Sequence, residues 1–318
     1  MNKLILDLDT GVDDVLAIAY ALGSPEVELI GITGTYGNVQ LDQGVRNALA
    51  ITELLGHSEV RVYKGLPHSN TTDSFTVGEI SAFIHGVNGI GDVEIPDSSR
   101  VPETESAVDF IIDAVKTYGK DLIYVPTGPM PNIAAALKKT PEIKDEIGRI
   151  VLMGSALTVP GNVNAWTEAN ISQDPEAANY LFRSGAPATM IGLDVTLRTL
   201  LTYQETKRWR DLGTKAGAFL ADMTDFYIKA YETTSPHLGG CGLHDPLAVG
   251  VAVDPTLVNV LDLNMKVDVE GPTRGRTIGD ETKLNDPVTT MKVAVGVDVP
   301  RFLNEFMTRI TALAEHAE

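Results

Sequence analysis

The chain has 318 residues, enough for one large α/β core, and its 43% hydrophobic and 21% charged content is that of a soluble globular protein. A formal net charge of −18, with Lys and Arg scattered rather than clustered, excludes a nucleic-acid polymer as the natural partner. A lone cysteine, Cys241, excludes an internal disulfide and a cysteine-rich zinc site.

Strand-like and helix-like segments alternate from the N-terminus. Lys3–Leu8 reads as a short apolar strand and Val12–Leu22 as a helix. Val27–Thr33 is strand-like, Leu41–Leu55 helical, and Val60–Tyr63 a third short strand. Pro67–Asp97, rich in Gly, Ser, Thr and Asn, reads as a long loop region with one helix. The rhythm resumes with a helix at Ser106–Thr117, a strand at Leu122–Val125 and a helix near Asn132–Leu137. Ile150–Met153 (strand), Pro175–Phe182 (helix) and Ala188–Ile191 (strand) continue it. Thr202–Tyr231 is helical by spacing, an apolar helix covers Leu247–Val253, and Val258–Val297 carries strands such as Val267-Asp268-Val269 and Met291-Lys292-Val293.

Repeated β-then-α units with buried strands predict an α/β fold, Rossmann-like, with a mainly parallel sheet flanked by helices and extra C-terminal strands and helices. Without a linker, repeat or low-complexity segment, residues 1–318 are expected to form a single domain. The N-terminus meets Asp7 too soon for a signal-peptide core, and no apolar run has transmembrane length. No membrane association and a cytoplasmic location are the expectation.

The strongest local signal is Asp7-Leu8-Asp9-Thr10-Gly11-Val12-Asp13-Asp14. Asp7 and Asp9, two apart at a strand end, share one face. Gly11 is expected to let the backbone turn, and Asp13 and Asp14 fall in the first turn of the next helix. Complementing the helix dipole accounts for one or two of these acids but not for all. Crowded carboxylates raise one another's pKa unless a cation neutralises them, and an all-oxygen set suits calcium or magnesium better than zinc. Two aspartates two apart after an apolar strand also open haloacid-dehalogenase-type phosphatases, which makes a metal-dependent phosphohydrolase the alternative reading. Those carry Thr or Val where Gly11 stands and lack the doubled Asp13-Asp14.

Further segments fall where a site at the sheet edge needs them: Tyr36-Gly37-Asn38, Pro126-Thr127-Gly128, Gly161-Asn162, Glu168-Ala169-Asn170 and His244-Asp245-Pro246. Each has a plain structural reading. Gly37-Asn38 is a turn signal, and Asp245 before Pro246 looks like a helix N-cap with proline at the first helical position. The Asp-Pro dipeptide recurs at Asp174, Asp254 and Asp286.

As an ordered set, with Ile84-His85-Gly86, Asn88-Gly89, Val151-Leu152-Met153-Gly154 and Asp174-Pro175-Glu176-Ala177-Ala178, the sequence resembles the inosine-uridine-preferring nucleoside hydrolase family over nearly its whole length. Thr10 departs from the family pattern, in which proline is common. The resemblance implies calcium-dependent hydrolysis of the N-glycosidic bond of small-molecule ribonucleosides in purine and pyrimidine salvage, by a homodimer or homotetramer.

It further implies that Asp9, Asp14, the Thr127 carbonyl and Asp245 hold Ca²⁺. Asp13, Asn38, Asn170 and Asp245 would grip the 2′- and 3′-hydroxyls, Asn162 and Glu168 the 5′-hydroxyl, with Met153 under the sugar. Asp7 would support the ligands from behind, and Asp9 would take a proton from the attacking water. His244 and His85 are the candidates for assisting the leaving base, with Tyr227 and Tyr231 as contacts in its pocket. Packing is the other reading of each of these four. Base selection is expected to lie on residues 67–91 and 225–244.

Overall fold

The computed structural model describes residues 1–317. Its first part runs β1 (Asn2–Leu8), α1 (Val12–Leu22), β2 (Val27–Gly34), α2 (Leu41–Leu54), β3 (Val62–Lys64), α3 (Glu79–His85) and α4 (Ala107–Tyr118). Then come β4 (Leu122–Pro126), α5 (Pro131–Lys139), α6 (Ile143–Glu146), β5 (Arg149–Met153), α7 (Ala169–Gln173), α8 (Pro175–Arg183), β6 (Ala188–Ile191) and α9 (Leu193–Thr196). The C-terminal third holds β7 (Leu200–Leu201), α10 (Tyr203–Asp211), α11 (Lys215–Thr234), β8 (Cys241–Gly242) and α12 (His244–Val253). It closes with β9 (Val258–Leu263), β10 (Met265–Val267), β11 (Thr277–Gly279), β12 (Met291–Val297) and α13 (Val299–His316).

Eight strands form one sheet in the order β3-β2-β1-β4-β5-β6-β12-β9, parallel throughout except for the antiparallel edge pair β12–β9. The β3-β2-β1-β4-β5-β6 stretch has the Rossmann strand order, which reverses direction between β1 and β4 and opens a crevice at their carboxyl ends. Both faces are covered. Leu4, Leu6 and Leu8 of β1 point into one apolar core and Ile5 into the other, which is why β1 is apolar without alternation. Among the described residues no helix is long and apolar enough to cross a membrane.

Two expectations change, and one alternative reading falls away. The helix expected over Thr202–Tyr231 is broken at Leu212-Gly213-Thr214, where Gly213 adopts φ +71° and the Thr214 side chain caps α11 by accepting from the Gly217 N–H. The break lets α10 and α11 pack side by side. The strand expected through Val269 stops at Val267, because Gly275 N–H donates to the Asp268 carbonyl and turns the chain back. Asp245 is not an N-cap: α12 begins at His244, so Asp245 lies inside its first turn. Its Asp-Pro counterparts do bond locally, Asp174 and Asp254 as caps and Asp286 to the Val288 N–H. Among the described residues, the one such carboxylate that makes no local cap or turn bond is the one in the crevice.

Candidate active site

The crevice between β1 and β4 is floored by the turn that follows β1. Thr10 takes φ +22°, a backbone path that the ring of a proline forbids, whereas Gly11 is extended at φ −88°. The turn is thus made one residue earlier than expected. Gly11 is required for space: a Cβ there would lie 2.5 Å from His85 Nδ1 and 2.6 Å from Asn38 Nδ2. Gly37 serves the same purpose, since its Cβ would lie 1.9 Å from Asp9 Oδ2. That absence of a side chain lets Asn38 donate to Asp9 through its backbone N–H (2.7 Å) and through Nδ2 (3.2 Å).

Asp14 is held from three sides. Its carboxylate accepts from the Gly11 N–H at 2.7 Å, from Asn38 Nδ2 at 3.4 Å and from the Thr127 hydroxyl at 2.7 Å. The first of these is a cap, so the dipole reading holds for Asp14 in part. Asp13 Oδ2 accepts from the Tyr227 hydroxyl at 3.4 Å, while Asp13 Oδ1 is buried without a hydrogen-bond partner among the described residues. Oxygens of Asp13, Asp14 and Asp245 lie within 4.8 Å of one another. Asp9 stands outside that triple, turned to Asn38. Asp7 sits behind, accepting from the Thr33 hydroxyl (2.6 Å) and Asn132 Nδ2 (2.8 Å).

All of these acids are buried, and no lysine or arginine among the described residues pairs with any of them. Loss of hydration raises the pKa values of Asp9, Asp13, Asp14 and Asp245 above the ordinary carboxylate range, reinforced by mutual repulsion at Asp9, Asp13 and Asp245 and opposed at Asp14 by the hydrogen bonds it accepts. Burial pushes Asp7 up to about 6. A cation beside the set would favour its fully ionised form.

Over this floor opens a cavity of about 520 Å³, lined by every site residue expected from the sequence except Asp7, Asp9 and Asp14. Thr127 follows β4, and its carbonyl accepts from Asn170 Nδ2 at 2.7 Å. A carbonyl has a second lone pair, so this bond leaves it able to ligate. Asn170 Nδ2 also reaches the Met153 carbonyl at 3.2 Å. Glu168 caps α7, with its two oxygens accepting from the Asn170, Ile171 and Ser155 N–H groups. Asn162 Oδ1 accepts from the Ala169 N–H at 3.0 Å. These bonds fix both side chains at the cavity wall and use much of their acceptor capacity.

The opposite wall is aromatic and imidazole. Tyr227 and Tyr231, four apart, share one face of α11. His85 ends α3 and lies against Tyr227 at 5.3 Å between ring centroids. The Val12 N–H donates to His85 Nδ1 at 3.1 Å, so the neutral ring carries its proton on Nε2. His244 contacts the hydroxyls of Tyr231 and Thr196. Burial holds both histidines neutral, lowering His85 to about 3 and His244 to about 4. Residues 80–84 and 234–238 complete the wall, within the two segments expected to select the base. Thr196 had no sequence signal: it lies 48 residues before His244 and meets it only in the fold.

The family model described as inosine-uridine preferring nucleoside hydrolase matches residues 4–304. A solved purine-preferring ribonucleoside hydrolase from Gardnerella vaginalis is 83% identical, with 98% of this chain and 99% of that one covered and a TM-score of 0.98. The inosine-uridine preferring nucleoside hydrolase of Leishmania major is 36% identical, with 95% of each chain covered. The pyrimidine-specific ribonucleoside hydrolase of Escherichia coli is 35% identical, with 95% of this chain and 94% of the other covered.

Proposed function

Because the chain belongs to the inosine-uridine preferring nucleoside hydrolase family, and so hydrolyses ribonucleosides to ribose and free base in salvage, we propose that it does so with Ca²⁺ at the acidic floor and with a preference for purine nucleosides. The purine preference rests on the 83% identity with the purine-preferring relative, against 35% for the pyrimidine-specific one. A phosphohydrolase is not supported. Among the described residues no lysine or arginine lines the cavity to receive a phosphate.

The observation that carries the calcium reading is the buried Asp13, Asp14 and Asp245 triple with its unpartnered Asp13 oxygen. The donor set is oxygen throughout and anionic, which fits a hard dication. Asp9, Asp14, the Thr127 carbonyl and Asp245 would hold the ion. When bound, it supplies a Lewis acid that anchors sugar hydroxyls and lowers the pKa of water beside it.

The chain's own groups do the rest. Asp13, Asn38, Asn170 and Asp245 grip the ribose diol, Asn162 and Glu168 receive the 5′-hydroxyl, and Met153 packs beneath the ring. As the glycosidic bond breaks, the sugar gains oxocarbenium character, and surrounding carboxylates and amide oxygens favour that charge. Asp9 accepts the water's proton. His244, Tyr231, Tyr227 and His85 face the departing base. The lone cysteine fits a reducing, cytoplasmic setting, and the family resemblance supports a homodimer or homotetramer.

Steady-state assays on inosine, adenosine, guanosine, uridine and cytidine test the substrate reading. The expected result is equimolar release of base and ribose, with kcat/KM higher for the purines; a pyrimidine preference would reverse the assignment. Asp9→Asn keeps the side-chain shape but removes the proton acceptor. It is expected to lower kcat by at least ~10²-fold, the lower end for losing general acid–base catalysis. A change confined to KM would instead mean that Asp9 only positions substrate.

A further inference from the structure

His244 opens α12 with both ring nitrogens engaged. Nδ1 lies 2.7 Å from the Thr196 hydroxyl and Nε2 lies 2.6 Å from the Tyr231 hydroxyl. The surroundings of Thr196 decide which atoms donate. Thr196 lies in α9, fully buried, and among the described residues its hydroxyl has no hydrogen-bond partner except Nδ1. A hydroxyl carries one hydrogen, which needs an acceptor. If Nδ1 carried a proton, in the neutral or the charged ring, the threonine hydrogen would be stranded in a dry site, the costly outcome for a buried donor. Thr196 therefore donates to Nδ1, and His244 carries its proton on Nε2, directed at the Tyr231 oxygen.

The consequence falls on Tyr231. Its oxygen already accepts from Nε2, so its own O–H must point elsewhere. The choices are the Tyr227 oxygen at 3.4 Å, a contact as long and weak as that of Tyr227 with Asp13, and the cavity that Tyr231 lines, where a polar base atom can approach to normal hydrogen-bond distance. Tyr227 directs its own hydroxyl to Asp13 Oδ2. We propose that Thr196 is a positioning residue: by fixing the Nε2–H tautomer of His244 it makes the Tyr231 hydroxyl a donor aimed at the departing nucleobase. No proton has to cross. The hydrogen bond strengthens as negative charge grows on the base, and the Nε2–H behind the phenol polarises it in the same sense.

The proposal rests on the cavity holding a ribonucleoside, and its test separates the two. In the full calcium-loaded chain labelled with ¹⁵N-histidine, the His244 signals are those lost in His244→Gln. Wild type and Thr196→Ser are expected to show the Nε2–H tautomer, and Thr196→Val the Nδ1–H form or a mixture. With inosine, Thr196→Val is expected to lower kcat roughly tenfold, about the worth of one hydrogen bond, with little change in KM. Serine should restore the rate. With p-nitrophenyl riboside, whose leaving group needs little help, the loss should nearly vanish.

An Nδ1–H tautomer in the wild type would overturn the proposal, and that result is available even if the valine variant does not fold. So would a valine variant that keeps the wild-type tautomer, or equal losses on the two substrates. A wild-type chain that cleaves no nucleoside would count against the functional reading, while the tautomer signals would still judge Thr196.

Discussion

Inosine should be hydrolysed with a kcat/KM about 10⁴-fold above that of 2′-deoxyinosine, a ratio available to sites built around a substrate hydroxyl. The cause lies in the floor of the cavity. Among the described residues Asp13 Oδ1 is buried with no hydrogen-bond partner, an Asp245 oxygen lies within 4.8 Å of the Asp13 carboxylate, and Asn170 lines the same cavity. A ribose diol supplies the missing donors; a deoxy sugar leaves one of them out. An unpaired buried acceptor costs about 1–3 kcal/mol, and more when it is charged. A lost ligand to the cation adds to that, which brings the total to the ~5 kcal/mol that the ratio needs. An opposing effect exists, because the electron-withdrawing 2′-hydroxyl makes the glycosidic bond intrinsically harder to break. The lost contacts should prevail, since they act where positive charge develops. Equal kcat/KM values for the two substrates would remove the diol-gripping model.

Much of this site was legible in the sequence because its pieces sit at strand ends. A strand that stops at Leu8 and another that stops at Pro126 place Asp9 and Thr127 on one sheet edge whatever the intervening chain does. The β–α alternation therefore carried both the fold and the position of the crevice. Where the reading failed, short-range cues competed. Gly11 looked like the pivot of the turn because glycine tolerates positive φ, yet Thr10 bears that conformation and Gly11 is there for the approach of His85. The helix over 202–231 kept its spacing through Gly213, and only the packing of α10 beside α11 exposes the break. Asp245 carried the same dipeptide as three capping or turn-forming aspartates, so local pattern could not separate it from them. Thr196 was invisible because a buried threonine gains its role only from the imidazole it meets.

Stripping the metal should abolish turnover and also change how stability responds to pH. Asp7, Asp9, Asp13, Asp14 and Asp245 all have folded-state pKa values above the ordinary carboxylate range, Asp7 at about 6. Between the unfolded value near 4 and those raised values, the folded chain binds more protons than the unfolded one, so stability falls as pH rises through that window. The metal-free protein is thus expected to lose Tm between about pH 4 and 8, the span from the unfolded value to the highest of these raised values. A bound dication favours the anions and should flatten that slope. At a hundredfold excess over its Kd it should also add about 2.7 kcal/mol.

The acidic floor is tested most directly by titrating Ca²⁺ into the rigorously stripped chain while following heat of binding, Tm and inosine turnover together. The predicted result is one Ca²⁺ per chain, with Tm and activity recovering along the same binding curve and all three responses lost in Asp14→Asn. A stripped chain that takes up no calcium and hydrolyses inosine at its full rate would contradict it.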